Sequence, residues 1–340
     1  LQFRHFPIDS RAIPEYNSPQ ILKRRERNDS TMQIIVNSVL TLFLLIFLGC
    51  FLGKKKIVST DYASGLSNFI VKVTMPATVF NAMQMEYDPE LLHRGVEILL
   101  FSLVFYAVSM VIGFAAVRIF SVPAKERGVW LFVSSFSNNG FMGLPLALSL
   151  YGNEGVFLMS IMNMIANLLI FSAGVKMLTD GYSITEKLSL KKMLLTNINI
   201  AVVLGLIFYI NQWTLPKVLA DSLSYLGSIT SGLSMIVVGL SMAKLNFREM
   251  FAGGRNYILT AIRLVLLPLI TLAVIRTAGR SLDPMIAGTL LLSAGLPSPS
   301  AASIITEQYH TNTDLGAKMI FLTTLFCLVT IPLLMGVGLS

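Results

Sequence analysis

The sequence predicts an all-α polytopic membrane protein of ten transmembrane helices, and three observations carry that prediction. Of 340 residues, 54% are hydrophobic and 13% charged, and counting the 24 Gly in place of the 10 Tyr brings the apolar share to about 58%, whereas water-soluble chains on that count run at about 45–50% apolar and about 25% charged. The apolar residues gather into runs near the roughly 20 residues that a bilayer core of about 30 Å requires. The basic residues collect in alternate connections between those runs, as expected when one side of a membrane protein stays in the cytoplasm. A soluble globular chain is excluded, and the lipid bilayer is the solvent this composition needs.

The runs fall at about residues 33–53, 63–85, 96–119, 128–150, 155–178, 197–213, 218–243, 256–276, 285–308 and 316–339. The second and seventh are the most polar, carrying Ser, Thr, Asn or Lys72 among their apolar residues, which suits helices packed inside a bundle. Cys50 and Cys327 both lie within apolar runs, so no disulfide framework is expected.

Orientation follows from the connections. Those after the odd-numbered spans hold fourteen basic residues, among them Lys54, Lys55 and Lys56, and those after the even-numbered spans hold four: Arg94, Lys217, Arg276 and Arg280. The odd connections are therefore assigned to the cytoplasm and both termini to the outside of the cell membrane. Residues 1–31 disagree, with six basic residues and three prolines on the side assigned as exterior. They read as an extension, either a disordered tail or a segment foreign to the native chain. The +8 formal charge of the whole chain is mostly a topology signal, and nucleic acid is not an expected partner.

Ten spans divide into five and five, here residues 32–178 and 197–340 joined by a cytoplasmic linker over 179–196. An odd number per half forces the halves into opposite orientations, the inverted-repeat plan of many secondary transporters. The fourth span reads SSFSNNGFMGLPLALSLY from Ser134 to Tyr151, and the ninth reads LSAGLPSPSAASIITEQY from Leu292 to Tyr309. Each has small polar residues, then a Gly/Pro-rich interruption, then a helix-forming stretch ending at Tyr. Asn138, Asn139, Gly140, Gly143 and Pro145 fall mid-span in one, and Gly295, Pro297, Ser298, Pro299 and Ser300 in the other. Proline removes an N–H and clashes with the preceding turn, and glycine weakens a helix by about 1 kcal/mol. Unwound backbone at membrane depth survives only inside protein or beside a wet cavity, so two matched interruptions mark a binding site. Half-helix N-termini, Asn amides and Ser hydroxyls supply hydrogen-bond donors there, and such a site favours an anion.

These residues resemble the auxin efflux carrier family of membrane transporters, bacterial-type permeases included. The resemblance rests on SNNGFMGLPLALSLYG (Ser137 to Gly152), VTMPATVFNAM (Val73 to Met83) and GLPSPSAASIITEQYHTNTDLGAKMIFLTT (Gly295 to Thr324), and covers about residues 32–340. It implies two inverted five-helix repeats whose broken fourth and ninth helices cross, and alternating access between a scaffold and a crossover-bearing domain. It also implies a small organic anion as substrate, a carboxylate such as malate, malonate or an auxin-like acid. A coupling ion, H+ or Na+, and a homodimer belong to the same expectation. Pro299 beside Pro297 departs from the family pattern, and the long central loop of many plant members is missing.

Other polar residues sit at depth. Lys72 and Arg263 would each cost about 2.5–3.5 kcal/mol at the bilayer centre, so each is expected to face a cavity or a partner. Lys72 is a candidate for attracting a carboxylate; for Arg263 a structural role is the more expected. Asn163 and Asn167, four residues apart, share one helix face and are candidates for lining the cavity, with interhelical hydrogen bonding as the alternative. No Asp or Glu sits deep in a span, which leaves carbonyls and hydroxyls as ligands for a coupling cation.

Catalysis finds no support. Gly49 to Lys54 is one residue short of a phosphate-binding loop, the histidines His5, His93 and His310 do not cluster, and no nucleophile-elbow motif occurs. The expected function is secondary active transport of a small organic anion, with an anion channel or a ligand-sensing membrane receptor on the same scaffold as the alternatives. No cofactor and no metal centre are expected.

Overall fold

The computed structural model describes residues 19–180, 182, 195–244, 246–278 and 282–338. Residues 1–18 of the extension and most of the 179–196 linker lie outside the described residues. Every regular element among the described residues is helical. Six helical stretches are long and apolar enough to cross a membrane, and Asn197–Asn211 and Pro284–Gly295 are shorter apolar helices.

In chain order, α1 (Pro19–Lys54) is followed by α2 (Tyr62–Phe69) and α3 (Met75–Ala82), joined through a π-helical turn at Ile70–Thr74. α4 (Pro89–Ile119) and α5 (Ala124–Ser135) come next. A π-helical turn at Asn139–Gly143 then leads into α6 (Leu144–Leu169), and a third at Ile170–Gly174 into α7 (Val175–Thr179). α8 (Asn197–Asn211), α9 (Lys217–Ala243) and the short α10 (Phe247–Met250) precede α11 (Gly254–Ala261) and α12 (Leu267–Ala278), which flank a π-helical turn at Ile262–Leu266. α13 (Pro284–Gly295), α14 (Ala301–Gln308) and α15 (Thr313–Gly338) complete the described chain.

Three of the four π-helical turns are followed by a proline at the second position of the next helix: Pro76, Pro145 and Pro268. A proline inside a helix removes one backbone hydrogen bond and its ring strikes the carbonyl four residues back. Widening the preceding turn by one residue makes room for that ring, and the proline then stands near a helix start, where a missing N–H costs little. The interruption expected across Asn138 to Pro145 thus lies earlier, at residues 136–138; Asn139–Gly143 is already π-helical, and Pro145 stands in α6 as a buried helical residue.

The stretch Ala124–Thr179 is 56 residues long, at about 1.5 Å per residue more than twice a bilayer core. It turns at Gly152, whose φ of 62° and ψ of −150° belong to a region that glycine alone occupies freely. Two residues on, Glu154 meets Arg94 near the start of α4, and Arg94 Nε donates to Asp283 Oδ2 at 2.9 Å. Asp283 also caps α13 through the Met285 and Ile286 amides. One surface of the protein therefore gathers the α4 start, the α6 turn and the α13 start around a single guanidinium.

α1 packs most extensively on α9, and α9 also contacts α2 and α3. The α1–α9 contact is backbone on backbone: a Cβ built on Gly239 would lie 2.0 Å from the Ile46 carbonyl oxygen, and one on Gly49 2.2 Å from that of Ile236. Small residues at such a crossing let dispersion act over the whole interface where lipid offers no hydrophobic drive. α4, α5, α6, α13 and α15 pack together as a second group, and the two groups meet where α1 contacts α15 and α6 and where α3 and α9 contact α6. Buried hydroxyls in these apolar helices return to their own backbone, as with Ser102 to Ile98, Ser109 to Phe105 and Ser160 to Val156, so they need no outside partner.

Candidate functional site

The two interrupted spans are built alike. α5 and α13 are each 12 residues long. Each ends on an extended residue, Phe136 (ψ 146°) and Leu296 (ψ 152°), and the helix resumes after Asn138 in one case and Ser300 in the other. The extended residues free the backbone groups between the half-helices to bond elsewhere, and they bond to each other. The Asn138 amide N–H donates to the Pro297 carbonyl at 3.0 Å, so the two breaks meet.

A chain of side-chain bonds backs this junction. Asn139 Nδ2 donates to Tyr106 Oη on α4 at 2.8 Å, and Ser293 Oγ on α13 donates to Asn139 Oδ1 at 2.8 Å. Ser298 donates its backbone N–H to Thr323 Oγ1 on α15 at 3.1 Å. Arg263 donates through Nη2 to Ser137 Oγ and, at 3.2 Å, to the Ser293 carbonyl. Asn138, Asn139, Ser293, Ser298 and Arg263 are all buried, where a hydrogen bond acts at low dielectric and an unmade one is costly.

On another side of the break, Gly140 faces the second and fifth spans. A Cβ placed on it would lie 3.7 Å from Met75 Sδ and 3.8 Å from Asn163 Oδ1. Asn163 is buried with Nδ2 unpartnered, and Thr74 Oγ1 and Ser234 Oγ are buried without a partner as well. Thr78 ties α3 to α9 through Thr230 Oγ1 at 2.8 Å and the Gly227 carbonyl at 3.1 Å, and α9 also packs against the Asn139–Gly143 turn. Asn163 thus stands beside the first break with a donor short of a partner, and Thr74 and Ser234 are further unpartnered polar groups in the π-helical turn before α3 and in α9.

Of the candidate residues, Asn138, Asn139, Gly140, Pro297 and Ser298 come together at the junction, with Asn163 beside it. Pro145 belongs to the half-helix that leaves the first break, and Ser300 is the N-cap of the one that leaves the second. Asn167 is half-buried, one turn beyond Asn163. Lys72 stands apart: its side chain is exposed, and the bond at this position is its carbonyl accepting from Asn197 Nδ2 at 2.9 Å. Both polar ends of the Asn139 amide are engaged within the protein. The structure adds Tyr106, Ser137 and Ser293 to the junction; each is a small or lone polar group in an apolar run, and only Ser137 carries a sequence signal, its place next to the Asn pair. Two clefts lie elsewhere. One of about 350 Å³ is lined by Gln84, Tyr209, Gln212 and Trp213, and one of about 530 Å³ by Glu90, His93, Arg94 and Asp283.

Apolar helices of membrane-crossing length around a buried junction of two broken helices define a multi-pass membrane protein of the transporter class. The chain belongs to the Membrane transport protein family, which is auxin efflux carrier-like, with residues 34–335 matched. It is 24% identical to an uncharacterized transporter of Methanocaldococcus jannaschii over 309 residues, covering 88% of this chain and 97% of that one. An uncharacterized transporter of Methanothermobacter thermautotrophicus is 26% identical over 306 residues, with coverage of 87% and 96%. A Rhizobium meliloti protein named "Putative malonate transporter" is 24% identical over 314 residues, with coverage of 88% and 94%.

Proposed function

We propose that this protein is a secondary active transporter that carries a small organic anion, a carboxylate such as malate, malonate or an auxin-like acid, across the cell membrane by alternating access. The observation that carries the reading is the junction itself, in which Asn138 of one broken helix bonds Pro297 of the other. Backbone unwound at such depth is characteristic of transporter binding sites, and the name of the Rhizobium meliloti relative points to a dicarboxylate.

In this reading the chain has ten spans in two inverted five-helix repeats, with spans four and nine crossing at the junction. The matched lengths of α5 and α13 and their extended ends support it. The substrate site lies at the junction of the two breaks and extends to the seam of α3, α6 and α9. Gly140 leaves the space there, and Asn163, Thr74 and Ser234 offer polar atoms without internal partners. Asn138, Asn139, Pro297 and Ser298 shape the junction, Pro145 and Ser300 start the half-helices that leave it, and Asn167 extends the Asn163 face. Lys72, three residues before Met75 on the second span, is the cation that draws the anion toward the site. Both termini lie outside, and H+ or Na+ drives the cycle.

The test is uptake of labelled malonate, malate and indole-3-acetate into proteoliposomes, with and without pH and sodium gradients. Saturable uptake that follows a gradient is expected. Current linear in voltage without saturation would assign a channel instead, and binding without flux a receptor; absence of both binding and flux for every organic anion would remove the reading.

A further inference from the structure

The only basic side chain fully buried among the described residues is Arg263, at 0% exposure. It stands in the π-helical turn Ile262–Leu266, and its Nη2 bonds Ser137 at the edge of the first break and the Ser293 carbonyl just before the second. Its Nε and Nη1 are buried with no partner. No Asp or Glu among the described residues forms an ion pair with it. The ionisable groups that interact with it are Tyr106 and Cys327, a phenol and a thiol that ordinarily stay neutral near pH 7. Cys327 stands four residues after Thr323 on α15, which bonds the Ser298 amide. Residues at that spacing share one face of α15, and the Ser293 carbonyl that Nη2 reaches stands three residues before Leu296, where the second break begins.

A guanidinium keeps its proton under all ordinary conditions, and an uncompensated buried charge is strongly unfavourable. A carrier that holds one at the junction gains most when an anion arrives. We infer that Arg263 is the fixed counter-charge for the substrate's carboxylate and a specificity-determining residue of the junction. One nitrogen holds the two breaks in register, and the positive charge makes the junction select an anion over a neutral isostere. This inference rests on the transporter reading above and adds to it the group that decides charge selectivity.

The experiment measures binding of malonate and of its neutral diamide to detergent-purified wild type, Arg263→Gln and Arg263→Lys, with thermal unfolding as the folding control. In wild type, malonate binds and the diamide binds far more weakly. Arg263→Gln is expected to weaken malonate by roughly tenfold to a hundredfold, the size of a lost charge-assisted contact, and to leave the diamide unchanged. Arg263→Lys keeps the charge and is expected to keep the preference for malonate at reduced affinity. Arg263→Gln that folds and binds malonate like wild type overturns the inference, and so does Arg263→Lys that has lost the preference while still folded. If Arg263→Gln does not fold, the lysine variant alone decides. Wild type that binds no carboxylate overturns the transporter reading itself, a result distinct from either.

Discussion

The Asn138 N–H and the Pro297 carbonyl, 159 residues apart in sequence, are joined by a 3.0 Å hydrogen bond. Pro297 interrupts its own span, and its carbonyl is then free to accept from the other interruption. The break at Pro297 thus supplies the acceptor that links it to the other.

Asn139 holds that junction from behind. Asn139→Ala removes the bonds to Tyr106 and Ser293 and strands two buried hydroxyls. A loss of about 1–3 kcal/mol is expected, read by thermal unfolding in detergent, together with weaker anion binding. Unchanged stability and unchanged binding together would take Asn139 out of the junction's function.

Asn163 should behave differently. Its Nδ2 is buried without a partner, so Asn163→Ala relieves an unsatisfied group while deleting a donor beside Gly140. Stability within about 1 kcal/mol of wild type is expected, with a several-fold rise in the substrate Kd. A variant that loses stability but keeps its affinity would make Asn163 a packing residue.

Gly239 tests the α1–α9 crossing. Gly239→Ala brings a methyl to 2.0 Å from the Ile46 oxygen, so the helices must separate, and a loss of about 1–3 kcal/mol is expected. Gly232→Ala in the same helix meets nothing within 4 Å, and should be neutral or stabilise by up to about 1 kcal/mol. Unfolding of the two variants side by side checks the contrast.

Asp283 combines two roles that separate by substitution. Asp283→Asn keeps an oxygen that can cap the Met285 and Ile286 amides and loses the ion pair with Arg94, about a quarter exposed on both sides. Its cost should stay below about 1 kcal/mol and shrink with added salt. Asp283→Ala also loses the cap and should cost about 1 kcal/mol more, a difference that salt does not erase.

Much of this architecture is legible in the sequence. Lipid fixes the length of a span, so runs such as 96–119 and 218–243 reappear within α4 and α9; the second break, at Leu296–Ser300, falls within the expected Gly/Pro-rich stretch, whereas the first sits at Phe136–Asn138, just upstream of the Gly and Pro residues that signalled it. Periodicity also puts Asn163 and Asn167 on one face. Tertiary structure alone decided which groups meet. Tyr106 reaches Asn139 across 33 residues, Arg263 reaches Ser137 across 126 and Ser293 reaches Asn139 across 154. It also left Lys72 exposed and buried Arg263 at the junction, although both read alike as cations at membrane depth. The physical reason is that a helix's own sequence sets its length, its faces and its breaks, whereas the partner of a polar group is chosen by how separate helices pack.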